Sequence, residues 1–126
     1  MSDQEAGPAA AVRAVMERYV EAAFKADVDT LRDLFHPAAV MSGYLGDNLL
    51  AGSPEPFLAD VGGRPSMEST GAPYKADILD IHASSLTASL RLEETGFFGV
   101  GSFVNYFHLL NTDGEWRIVS KTFQSV

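Results

Sequence analysis

Hydrophobic spacing divides the chain into a helical front part and a strand-like rear part. Val12, Val15, Met16, Tyr19, Val20 and Ala23 recur at three- and four-residue steps, which predicts an amphipathic helix with one buried stripe. Pro8 suits its first turn. Arg13, Glu17, Arg18 and Glu21 fall largely on the opposite side, and Phe24 lies near its end. Asp27 is placed to cap a second, shorter helix, with Asp29 in its first turn and Leu31, Leu34 and Phe35 as its apolar positions. His36-Pro37 ends that helix, because the residue before a proline is pushed out of helical geometry. Residues 38–44 and 48–51 read as short strands around Gly46-Asp47. Ser53-Pro54-Glu55 opens a third helix, with Ser53 as cap, Pro54 at the first position and Phe57, Leu58 and Val61 buried. Gly62-Gly63 ends it, and residues 63–72 read as a loop.

The rear part alternates. Residues 74–83 and 86–94 are strands joined at Ser84-Ser85. In the second, Ala88, Leu90 and Leu92 face one way while Thr87, Ser89, Arg91 and Glu93 face the other. Gly96, Gly99 and Gly101 bracket Phe97-Phe98 and predict a bulge or bend that curves the sheet. Two apolar-rich runs within residues 102–123 then flank Asp113-Gly114, a strong hairpin signal because glycine accepts positive φ freely. Phe103, Asn105, Phe107 and Leu109 share one face of the first run, and Val104, Tyr106, His108 and Leu110 the other. In the second run Trp116, Ile118, Ser120 and Thr122 oppose Arg117, Val119, Lys121 and Phe123. Apolar bulk on both faces predicts cover on both sides, or on one side by a second subunit. Helices followed by a long meander indicate an α+β fold: three N-terminal helices packed on a strongly curved mixed or antiparallel sheet of about six strands. Residues 1–7 read as a flexible tail and residues 8–126 as one domain.

Composition narrows the function classes. A formal net charge of −8 leaves no basic patch for nucleic acid or for anionic membrane surfaces. The chain has no cysteine, which removes disulfides, thiolate metal sites and cysteine nucleophiles and is compatible with a cytoplasmic location. The N-terminus lacks the basic and apolar regions of a secretory signal, and no apolar run approaches membrane-spanning length. The three histidines have no metal-ligand spacing. Gly99-Val100-Gly101 precedes a strand, so it is no phosphate loop, and no nucleophile elbow is present. No cofactor is expected.

The element order and three stretches resemble the NTF2-like (SnoaL-like, cystatin-like cone) superfamily and, within it, the putative lumazine-binding family. The stretches are YVEAAFKAD at 19–27, LFHPAA at 34–39, and YFHLL at 106–110 leading to DGEWRIVSK at 113–121. The resemblance implies a cone-shaped half-barrel with an apolar pocket between the first helix and the concave sheet face, and a homodimer formed through the outer sheet face. It also permits a test against the ketosteroid-isomerase relatives. Tyr19 matches their oxyanion-hole tyrosine, and Asn105 falls near their second donor. Gly43 stands where their base aspartate would be, so steroid-type isomerisation is not expected. The aspartate–histidine pair of the polyketide cyclases is not placed either.

The candidate ligand-binding residues are Tyr19, Met41, Phe57, Phe103, Asn105, Phe107, Lys121 and Phe123. Tyr19 is either a core tyrosine or a donor aimed into the pocket. Lys121 is either a lysine reaching to the rim or a cation for an anionic or carbonyl-bearing ligand. The aromatic and methionine side chains are ordinary core or pocket lining. His36, Asp80 and His82 are the candidate bases; His36 otherwise faces a helix C-terminus, and the other two are otherwise solvated strand residues. Three functions follow: a module binding a small, largely apolar or carbonyl-bearing molecule in the cone; an isomerase, dehydratase or cyclase using one of those bases; or a non-catalytic protein-interaction module.

Overall fold

The computed structural model describes residues 6–126. The expectation for the N-terminal tail falls mainly on residues 1–5, outside the described residues. Helix α1 (Gly7–Lys25) buries Val12, Met16, Tyr19, Ala22 and Ala23, as its apolar stripe requires. Helix α2 (Val28–Leu34) is capped by Asp27, whose side chain accepts from the Thr30 N–H, and it buries Leu31 and Leu34. The chain passes directly into β1 (Phe35–Leu45), so the strand begins earlier than Ala38, and β2 (Asn48–Gly52) folds back on it.

Helix α3 (Glu55–Gly62) starts one residue later than expected. Pro54, not Ser53, is its N-cap residue, and Leu58 and Val61 are buried. The stretch read as a plain loop contains a one-turn helix, α4 (Met67–Thr70), capped by the Ser66 side chain and anchored by the fully buried Met67. Strands β3 (Lys75–Ala83), β4 (Thr87–Phe97), β5 (Gly101–Thr112) and β6 (Glu115–Ser125) complete the chain.

The six strands form one sheet in the order β2-β1-β6-β5-β4-β3, with β1 parallel to β6 and every other neighbouring pair antiparallel. The β5–β6 turn is the expected tight one: Asp113 and Gly114 both have positive φ, 54° and 86°, which the right-handed twist of a hairpin favours. Register shifts interrupt β3, the end of β4 and β6. Such irregularities bend strands, and here they curve the sheet around α1.

The shift in β6 corrects the facing read from sequence. Leu109 pairs with Ile118 and His108 with Ser120, so Val119 is an extra residue that reverses the alternation. Trp116, Ile118, Lys121 and Phe123 are therefore all buried on the concave side, instead of lying on opposing faces. α1 packs against β3 and β6 across that concave side and, with α2, closes the cone. Among the described residues no helix is long and apolar enough to cross a membrane.

Candidate functional site

The concave face holds polar groups where the core is otherwise apolar. Tyr19 projects from the buried stripe of α1 and is 1% exposed; Lys121 projects inward from β6 and is 4% exposed. They meet across the cone, where Lys121 Nζ donates to Tyr19 Oη at 2.8 Å. Aromatic rings enclose the ammonium. Its Nζ lies 4.0 Å from the Phe57 ring centre, with the Phe107 and Phe123 rings at 5.8 and 5.9 Å. Tyr19 itself stacks on Phe57 and meets Phe35 and Phe107 edge-on. Phe57 is carried by α3, which is anchored by the buried Leu58 and Val61 and linked to α2 by the two-pronged Arg32–Glu55 pair, at 3.1 and 2.9 Å.

A carboxylate occupies the same interior. Glu94 is 5% exposed; Asn105 Nδ2 donates to its Oε1 at 2.8 Å and Tyr74 Oη to its Oε2 at 2.5 Å. Asn105 also donates to the Leu92 carbonyl, which fixes its amide. Tyr74 stacks on Phe24 and meets Phe97 edge-on, so the network is framed by rings on its far side as well.

Burial sets the electrostatics. Lys121 is lowered to about 8, mainly by desolvation and against the opposing pull of the Glu94 charge. The Tyr19 phenol is pushed well above its ordinary value, first by burial and then by Glu94. Tyr74 is likewise raised, by burial, by the Glu94 charge and by its hydrogen bond to that carboxylate. Among the described residues Lys121 has no ion pair, and its one hydrogen-bond partner is Tyr19. An ammonium has three donors and a phenol has one, so two N–H groups and the Tyr19 O–H have no acceptor there.

The structure gathers much of the candidate set. Tyr19, Phe57, Phe107 and Phe123 surround the Lys121 ammonium, and Asn105 holds Glu94 in the same interior. Phe103 pairs across from Glu94 and contacts the Phe123 and Phe97 rings edge-on. Met41 is half-buried beside Lys121 through the β1–β6 register. The three candidate bases are elsewhere. His36 Nδ1 accepts from the Ala38 N–H of its own strand at 3.0 Å. Asp80 sits at the β3 irregularity with φ 56° and pairs with Arg91 at 2.6 Å on the outer face. His82 lies level with Ser89 and His108 on that outer face.

Gly43 leaves no room for a base. A Cβ there would lie 2.0 Å from the Phe123 carbonyl oxygen. The cone's carboxylate comes instead from β4 as Glu94, which the candidate list lacks, as it lacks Tyr74. Glu94 extends the Ala88, Leu90, Leu92 stripe by one step, and that alternation was the available signal. Two grooves, of about 670 and 270 Å³, lie away from the cone; His82 and His108 line both. Among the described residues no group of histidine and carboxylate side chains is placed to hold a metal.

Comparison with known proteins agrees with this geometry. The chain is similar to an NTF2-like protein of unknown function from Shewanella baltica OS155, at 27% identity over 93% of this chain and 92% of that one, with a TM-score of 0.80. It is equally similar to an NTF2-like protein of unknown function from Silicibacter pomeroyi DSS-3, at 27% identity over 93% and 94% of the two chains and a TM-score of 0.80. A third such protein, from Methylobacillus flagellatus KT, matches at 27% identity over 93% and 90%, with a TM-score of 0.78. A search of curated proteins gave no match. Residues 8–124 match the family described as "Putative lumazine-binding", so this chain, with its NTF2-like cone, belongs to the putative lumazine-binding family.

Proposed function

We propose that the cone binds a small, flat molecule through a carbonyl oxygen held by Lys121 Nζ and Tyr19 Oη. The observation that carries this reading is the set of unspent donors inside an apolar, ring-lined interior. Buried donors are nearly always paired, and leaving one unpaired costs about 1–3 kcal/mol. A ligand that brings acceptor lone pairs removes that penalty, while its rings exchange water for the faces of Phe57, Phe107 and Phe123. Glu94, oriented by Asn105 and Tyr74, offers an acceptor for a ring N–H of the same ligand. A pteridine-dione such as lumazine has this combination of flat rings, carbonyls and N–H groups, in keeping with the family's description.

Isothermal titration with lumazine tests the reading. Saturable binding to the native protein that is abolished by Lys121→Met is the expected result. No saturation, or equal binding by the variant, would overturn it. Catalysis in the cone by His36, Asp80 or His82 draws no support from their positions.

We further propose that the outer sheet face pairs with a second copy of the chain. Val40, Tyr44, Leu49 and Tyr106 leave it 48–62% exposed at large apolar side chains. Light scattering should give a dimer that Tyr106→Glu converts to monomer; a native monomer at high concentration would exclude the pairing.

A further inference from the structure

We propose that Lys121 is a covalent site: its amine condenses with an uncharged aldehyde or ketone admitted to the cone, forming an imine, with Tyr19 relaying the protons. The proposal rests on the binding reading above and deepens it from hydrogen bonding to bond formation. The amine is 4% exposed, has no carboxylate partner among the described residues, and touches one polar atom, Tyr19 Oη at 2.8 Å. An amine kept from water and touching no carboxylate is the arrangement that favours the neutral, nucleophilic form of lysine, with burial outweighing the opposing pull of the Glu94 charge. The downward shift of Lys121 agrees. Glu94 in the same interior disfavours a negatively charged carbonyl compound, and the surrounding rings favour an aromatic one.

The step balances without an oxidant or reductant. The Nζ lone pair adds to the carbonyl carbon, and the C=O π pair becomes an alkoxide that takes up the Tyr19 proton. The resulting carbinolamine loses its hydroxyl as water. Of the two nitrogen protons, one returns to the Tyr19 phenolate and the other leaves with the hydroxyl in that water. Aldehyde and amine thus become imine and water. Phe57, half-buried and 4.0 Å from Nζ, covers the approach, so entry requires its ring or α3 to swing aside.

The chain has three lysines, and Lys25 and Lys75 are exposed, so the labelled position is readily identified. The test incubates native protein with benzaldehyde and sodium cyanoborohydride near neutral pH, which fixes any imine as a benzyl amine. Peptide mass spectrometry then locates it. Benzyl alcohol, which has nearly the size of benzaldehyde and cannot condense, reports entry alone through thermal shift. Labelling of Lys121 several-fold faster than of Lys25 and Lys75, protected by benzyl alcohol and slowed in Tyr19→Phe, is expected. Lys121→Arg keeps a cation there and should abolish that label. Saturable benzyl alcohol binding with no preference for Lys121 would overturn imine formation and leave the binding reading standing. Absence of both binding and labelling would overturn both.

Discussion

Replacing Lys121 with methionine gives the sharpest energetic prediction. The side chain has nearly the same length, and the substitution removes a buried cation. Burial lowers Lys121 from 10.5 to about 8, a difference worth about 3–4 kcal/mol at about 1.4 kcal/mol for each pH unit. Its folded value is depressed, so between the two values the unfolded chain binds more protons. The full penalty therefore stands below pH 8 and fades as the pH rises toward 10.5. Against this, methionine removes the Nζ hydrogen bond to Tyr19 Oη, a loss of about 1–3 kcal/mol, and the contact with the Phe57 ring, about 1 kcal/mol. At pH 7 the two proteins should consequently differ little in stability.

Their pH dependence should differ clearly. From pH 7 to 9.5 the native protein should gain about 2 kcal/mol relative to Lys121→Met. Tyr19 and Tyr74 are both raised above 10, and what they contribute is lost only above that pH, outside the window. Urea unfolding at four or five pH values, with common slopes, measures the difference. Parallel stability curves for the two proteins would refute the claim that Lys121 is desolvated in the folded state.

The remaining predictions concern the rest of the cone. Asn105→Leu leaves Glu94 Oε1 without its amide donor and should lower stability by about 2–3 kcal/mol, read by urea unfolding; rescue by Glu94→Gln in the same background would show that the carboxylate is the group left stranded. Gly43→Ala forces a Cβ against the Phe123 carbonyl and should destabilise by about 1–3 kcal/mol, with the largest chemical-shift changes along β1 and β6. Phe57→Ala removes the ring covering Nζ and should speed benzaldehyde labelling of Lys121 several-fold while leaving Lys25 and Lys75 unchanged.

The long elements were legible because they repeat a period many times. α1 shows its stripe over several turns, β4 alternates cleanly, and the Asp113-Gly114 turn has one cheap geometry. Asp27 was legible as a cap because a short acceptor sits just before a helical pattern. α4 was not, since four residues are too few to display a period. The facing of β6 was half legible: Lys121 and Phe123 lie inward, while Trp116 and Ile118 join them only because Val119 is inserted, and nothing local distinguishes an inserted strand residue from a paired one. The site divides the same way. Resemblance and helical phase bring out Tyr19, whereas Tyr74 acquires its role only by meeting Glu94, 20 positions away in sequence.

The central claim is that the cone's unspent donors take a carbonyl ligand. Its most direct test is a crystal structure of the protein soaked with lumazine. The account predicts a carbonyl oxygen within hydrogen-bond distance of both Lys121 Nζ and Tyr19 Oη, with Phe57 moved to face the ring. Lumazine seated instead in the His82–His108 groove, or a cone that stays closed over Lys121 at saturating ligand, would contradict it.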